Sequence, residues 1–115
     1  MRKRKAEMER EQKANIWGGT GTLELCKVFT PEELGKRANC FNVVTFQPGG
    51  SIGLHNHVTD SELYYVLQGE LVVVDDGEEI VLKAGDAIFT GDGGAHSAEN
   101  RTDQEAKMLA VIFPS

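Results

Sequence analysis

Three histidines and one glutamate carry the chemistry that this chain of 115 residues can offer. His55 and His57 stand one residue apart in the stretch GGSIGLHNHVTDSELYYVLQG, residues 49–69, and Glu62 follows five positions later. Side chains at i and i+2 of a strand share a face, so an H-x-H pair on a strand sets two imidazoles side by side. If the polar break after His57 is a hairpin-like connection, Glu62 begins the neighbouring strand and returns beside them. The third histidine, His96, lies in a second glycine-rich stretch, residues 85–100. Imidazole nitrogens and a carboxylate, with no thiolate, suit one divalent transition metal: iron, manganese, nickel, cobalt or zinc. Four protein ligands on a six-coordinate ion would leave two places open for a ligand.

The elements that must position these residues are short strands. Residues 22–29 alternate polar with apolar side chains as an edge strand does, able to pair across a dimer. Thr30-Pro31-Glu32-Glu33 has the form of a capping box with proline at the first helical position and predicts a single helical turn. Cys40 to Gln47 is rich in Val, Thr and Phe, and Pro48-Gly49-Gly50 closes it with a turn. The H-x-H strand and the run from Leu63 to Gln68 come next. Residues 71–74 and 78–82 flank Asp75-Asp76-Gly77, where Asp-Gly is a hairpin signal. Residues 86–90 and 95–100 are expected to form the next pair, and Lys107 to Phe113 the closing strand. Nine short strands with closely spaced turns predict an all-β sandwich or closed barrel.

Parity extends the site. With Glu62 inward, Tyr64 and Val66 point inward as well, and Leu63, Tyr65 and Leu67 point out. Tyr64 is a candidate substrate-pocket residue whose competing role is core packing with its hydroxyl on a partner. Phe46 or Gln47 is a candidate pocket wall, depending on register, and Phe89 and Phe113 are assigned to the core. Cys26 and Cys40 show no C-x-x-C spacing and are read as free thiols, with Cys40 conceivable as a substrate-facing one. No G-x-S-x-G elbow or phosphate-binding glycine loop is present, which argues against a covalent nucleophile and against nucleotide binding.

The chain divides into a charged N-terminal extension, residues 1–15, and a single domain, residues 16–115. The first thirteen residues carry six basic and three acidic groups, leaving six basic and fifteen acidic in the body. Their alternating charges and good helix formers predict a solvated helix. The acidic body disfavours nucleic acid or an anionic membrane as a partner. Without an apolar signal region or a span of ~20 apolar residues, the chain reads as cytoplasmic. Apolar residues on the outer face predict a homodimer.

The two motifs also match a family. Residues 49–69 fit G-x5-H-x-H-x4-E-x6-G throughout, and residues 85–100 fit G-x5-P-x-G-x2-H-x3-N, except that Gly91 stands where the pattern has proline. The chain resembles the cupins, and in length the small single-domain cupins related to germins and oxalate decarboxylase-like proteins. The resemblance implies a double-stranded β-helix, the cupin jelly-roll barrel, with the metal inside on His55, His57, Glu62 and His96. It also implies a small organic acid, keto acid or sugar-derived substrate and dioxygenase, decarboxylase or isomerase chemistry. No residue selects among these. No loop is long enough to bring a second carboxylic acid over the metal, and no histidine is spare for an epimerase pair. The alternative is a non-catalytic module that binds or senses a small molecule.

Overall fold

The computed structural model describes residues 1–115 and contains ten strands with two short 3-10 turns, Lys5–Glu7 and Ile16–Gly18. The strands are β1 (Glu9–Ala14), β2 (Thr22–Lys27), β3 (Cys40–Phe46), β4 (Ser51–Asn56) and β5 (Asp60–Gln68), followed by β6 (Glu70–Asp75), β7 (Glu78–Lys83), β8 (Ala87–Thr90), β9 (Ala95–Glu99) and β10 (Ala106–Pro114). They form two antiparallel sheets, one ordered β1-β2-β3-β10-β5-β8 and the other β4-β9-β6-β7. Phe46, Val66, Leu71, Val73, Ala98 and Met108 are completely buried between them. This is the jelly-roll arrangement that the motifs imply.

Four expectations need correction. The charged N-terminal segment is a strand rather than a helix: Glu9–Ala14 pairs with β2 along its whole length. Its residues are all exposed, and Lys27 sits between Glu9 and Glu11 while Arg10 faces Glu24. A free edge of β2 to pair with, together with cross-strand charge partners, outweighs helix propensities of a few tenths of a kcal/mol per residue. As a result β2 is an inner strand and β1 is the edge. Strands β8 and β9 do not pair with each other; β8 joins β5 in one sheet, and β9 lies between β4 and β6 in the other. Phe89 and Phe113 pack against each other on the outer face instead of in the core, because Phe89 alternates with Ile88 and Thr90 and so points away from them.

The Thr30 turn forms as the sequence predicts. The Thr30 N–H donates to Glu33 Oε1 at 2.8 Å, and the Glu33 N–H donates to Thr30 Oγ1 at 3.3 Å. Asn100 ties down the far end of the barrel: its side-chain amide donates to the carbonyls of Phe46 and Gln104, and its backbone exchanges bonds with Gly49 and Gly50. No helix is long and apolar enough to cross a membrane.

Candidate metal centre

The register of β4 against β9 brings the first two histidines into place. Ser51 and Ile52 oppose Glu99 and Ala98, and the register then shifts so that His55 opposes His96 directly. Strict alternation would send Ile52 and His55 to opposite faces, since they are three residues apart. The one-residue irregularity turns both inward, and both are buried. His57 follows at the same parity, just beyond the strand, and its backbone is bonded on both sides to the Gly93-Gly94 turn at 2.9 Å. On the facing sheet, β5 returns Glu62 inward, with Thr90 of β8 as its neighbour.

Four donor atoms converge. His96 Nε2 lies 3.0 Å from Nε2 of His55 and of His57, and 2.9 Å from Glu62 Oε1. Glu62 Oε1 is also 2.9 Å from His57 Nε2 and 3.5 Å from His55 Nε2. Each remote ring nitrogen has its own partner: His55 Nδ1 donates to the Gly53 carbonyl at 2.8 Å, His57 Nδ1 donates to Asp60 Oδ1 at 2.6 Å, and His96 Nδ1 shares a hydrogen bond with the Thr90 hydroxyl at 3.0 Å. With the ring protons on the Nδ1 atoms, three Nε2 lone pairs and a carboxylate oxygen face one another with no proton between them. A buried cluster of this kind needs positive charge at its centre, which a proton on an imidazole or a metal ion can supply. The spacing fits one, because an ion bound at ~2.1 Å in square or octahedral geometry holds adjacent donors roughly 3.0 Å apart. The four residues can therefore hold a single metal ion, with every donor within 4.8 Å of the others.

The electrostatics keep the carboxylate charged. Burial would raise the Glu62 pKa, but where protons instead of an ion occupy the Nε2 side of the rings, hydrogen bonds from His55 and His96 and the positive character of the histidines outweigh it, and the net shift is downward. Burial likewise lowers both His55 and His96. For His96 that effect prevails; for His55, Glu62 and the Gly53 carbonyl reverse it and the net shift is upward. Burial, then the Glu62 charge, pushes the Cys40 thiol up to about 12. The same causes in the same order hold the Tyr64 phenol well above its ordinary value.

A cavity of about 430 Å³ opens from this cluster toward solvent. Tyr64, Cys40, Asn42, Val44, Ala110 and Ile112 line its inner part, and Lys13, Trp17 and Val58 stand at its rim. Tyr64 is a buried member of the core whose ring stacks on His96 at a centroid distance of 4.2 Å, and it also lines the cavity. Phe46 and Gln47 do not line it. Phe46 is a fully buried core residue, and Gln47 is exposed and donates to Glu105 at 3.0 Å. Both lie toward the Asn100 end of β3, whereas Cys40 and Asn42 occupy the end nearer the cluster. Sequence reasoning missed Asp60, Thr90 and Trp17. The need of a ligating histidine for a partner at its second nitrogen points to Asp60, three residues after His57. Nothing local in the sequence points to Thr90 or Trp17.

A double-sheet barrel with three histidines and a glutamate turned into one end is the architecture of a cupin. The Cupin domain model matches residues 42–112, and the chain belongs to this family as a small single-domain member. An oxalate-binding protein of Thermotoga maritima is 38% identical over 110 residues, covering 96% of this chain and 91% of the relative. The crystal structure of a predicted oxalate decarboxylase from Thermotoga maritima matches with a TM-score of 0.94 at 37% identity and covers the whole of both chains. A sugar phosphate isomerase of the cupin superfamily from Silicibacter pomeroyi matches with a TM-score of 0.74 at 25% identity over 96% of this chain and 73% of that one.

Proposed function

We propose that this chain holds one divalent transition metal on His55, His57, Glu62 and His96 and binds a small organic acid beside it, oxalate and related keto acids being the first candidates. The observation that carries this reading is the donor cluster itself, buried at the inner end of a cavity. The likeness to an oxalate-binding protein supports the acid as ligand class. A bound divalent ion would supply Lewis-acid polarisation of a carboxylate or carbonyl oxygen. The chain's own contribution is orientation and protons. Asp60, Thr90 and the Gly53 carbonyl fix the three rings, and Tyr64 packs flat on His96. Tyr64 and Cys40 remain protonated at neutral pH and so face the cavity as donors, not bases.

A second reading, in which the acid is turned over, would use Tyr64 as a hydrogen-bond donor that orients it, since burial and the Glu62 charge keep both Tyr64 and Cys40 from giving up their protons. The chain is further read as a homodimer that uses the outer apolar residues Tyr65, Leu67, Phe89 and Phe113, with its free thiols in a reducing cytoplasm. Metal analysis of purified protein should give one equivalent per chain, and calorimetry should show saturable oxalate binding that disappears in His57→Ala. Substoichiometric metal after reconstitution would sink the reading. Product formed from oxalate or a keto acid, with or without dioxygen, would establish turnover, and sedimentation as a monomer at micromolar concentration would remove the dimer.

A further inference from the structure

The segment that joins β1 to β2 carries features that metal binding alone does not require. Trp17 is the chain's single tryptophan. It is 68% exposed, yet its ring lies parallel to that of His55 at 5.2 Å. Its backbone is left-handed, φ 53°, as is that of Asn15, φ 52°. A bulky residue rarely adopts this conformation unless its surroundings impose it. Here β4 does so. A Cβ on Gly53 would meet the Trp17 carbonyl at 2.0 Å, and one on Gly19 would meet the Ser51 carbonyl at 2.2 Å, so only glycine at both positions lets the segment lie this close. Thr20 and Ser51 bond the segment to the start of β4. The chain is thus pinned so that one indole face covers His55 and the other is open at the cavity rim.

Lys13 stands at the same rim and is the only lysine or arginine lining the cavity. No carboxylate lies within ion-pair distance of it. The cavity's two acids are engaged elsewhere, Asp60 with His57 and Glu62 with the histidine cluster. Between the rim and the cluster much of the wall is apolar, including Ile16, Leu25, Ile52 and Ile112, with Asn42 among the polar exceptions. At about 430 Å³ the space exceeds what oxalate, the smallest dicarboxylic acid, can fill and lies in the range of ordinary small-molecule pockets.

We infer that Trp17 and Lys13 are the specificity residues of this cavity, selecting an organic ligand with a chelating end, a flat apolar body and an anionic group at its far end. The body lies against the open face of Trp17 and the far anion pairs with Lys13. This inference rests on the metal-centre reading above, since the chelating end occupies that centre.

The test uses zinc-loaded protein with oxygen excluded and three probes: oxalate, catechol, and protocatechuate, which is a catechol carrying a carboxylate on the far side of its ring. Calorimetry should show protocatechuate binding about tenfold more tightly than catechol. Lys13→Gln should bring the two within about twofold of each other, and Trp17→Leu should weaken both by about fivefold. In the wild-type protein, protocatechuate should shift the Trp17 emission saturably. Metal content measured on every variant separates a lost ligand contact from a lost ion. Equal affinity for catechol and protocatechuate, an unchanged ratio in Lys13→Gln, or Trp17 emission unmoved at saturation would each overturn the inference. Oxalate binding with any of these results would leave the metal-centre reading standing. Failure of the wild-type protein to take up zinc would end both.

Discussion

The two ends of the barrel interior obey one rule of alternation and reach opposite results. Along β5 the inward residues run Val66, Tyr64, Glu62; along β10 they run Met108, Ala110, Ile112; along β3 they run Phe46, Val44, Asn42, Cys40. At the Phe46 end, the side chains are large, apolar and completely buried. Toward the other end the same strands present smaller or polar groups, and the space they give up becomes the cavity above the histidines. The fold places every one of these side chains by parity, and side-chain choice alone turns one end into core and the other into a site. Stability should therefore reside mainly at one end and ligand chemistry at the other.

Removing a ligand gives the largest expected separation of the two ends. Glu62→Gln should abolish stoichiometric metal, read by elemental analysis. Its metal-free melting temperature should fall less than that of the core variant, because the substitution leaves no cavity. Phe46→Ala should cost about 3–5 kcal/mol in denaturant unfolding while the purified protein still takes up one metal. A smaller effect is expected at the partners behind the rings. Thr90→Val keeps the shape but removes the oxygen facing His96 Nδ1, and metal affinity should drop about 10- to 100-fold in a competition titration.

The smallest effect is the pH response of metal uptake. His55 must give up its Nε2 proton to bind an ion, and its pKa is raised above the ordinary histidine value. Affinity should be flat at high pH and decline as pH falls through that raised value, with onset above the pH expected of a free imidazole. Affinity that held constant down to pH ~6 would contradict the upward shift.

The pairing of His55 with His57 and the direction of Tyr64 were legible because each rests on a period of two within one short segment, whereas Glu62 and His96 joined the candidate set through an assumed hairpin and the second motif. What could not be read depends on partners distant in sequence. The Glu9–Ala14 segment has the composition of a helix, and only the presence of β2 beside it makes it a strand. The shift between Ile52 and His55 is a property of the β4 and β9 pair, invisible in either alone. Phe46 and Gln47 were placed near the site because the position of β3 along the barrel could not be known from its own residues. Phe89 lies outside because β8 pairs with β5 in the register that sets Thr90 beside the inward Glu62, which leaves Phe89 on the opposite face. Trp17 reached the site through a backbone conformation that its side-chain type argues against.

The Asn100 junction has one more implication. Its two backbone bonds join Gly49 and Gly50 to the end of β9, and its side-chain amide ties that point to the carbonyls of Phe46 and Gln104, so it fastens together the roots of the two strands that bear His55 and His96. The pairing that sets His55 opposite His96 is thereby anchored at its far end, so the two imidazoles already face each other before any ion enters.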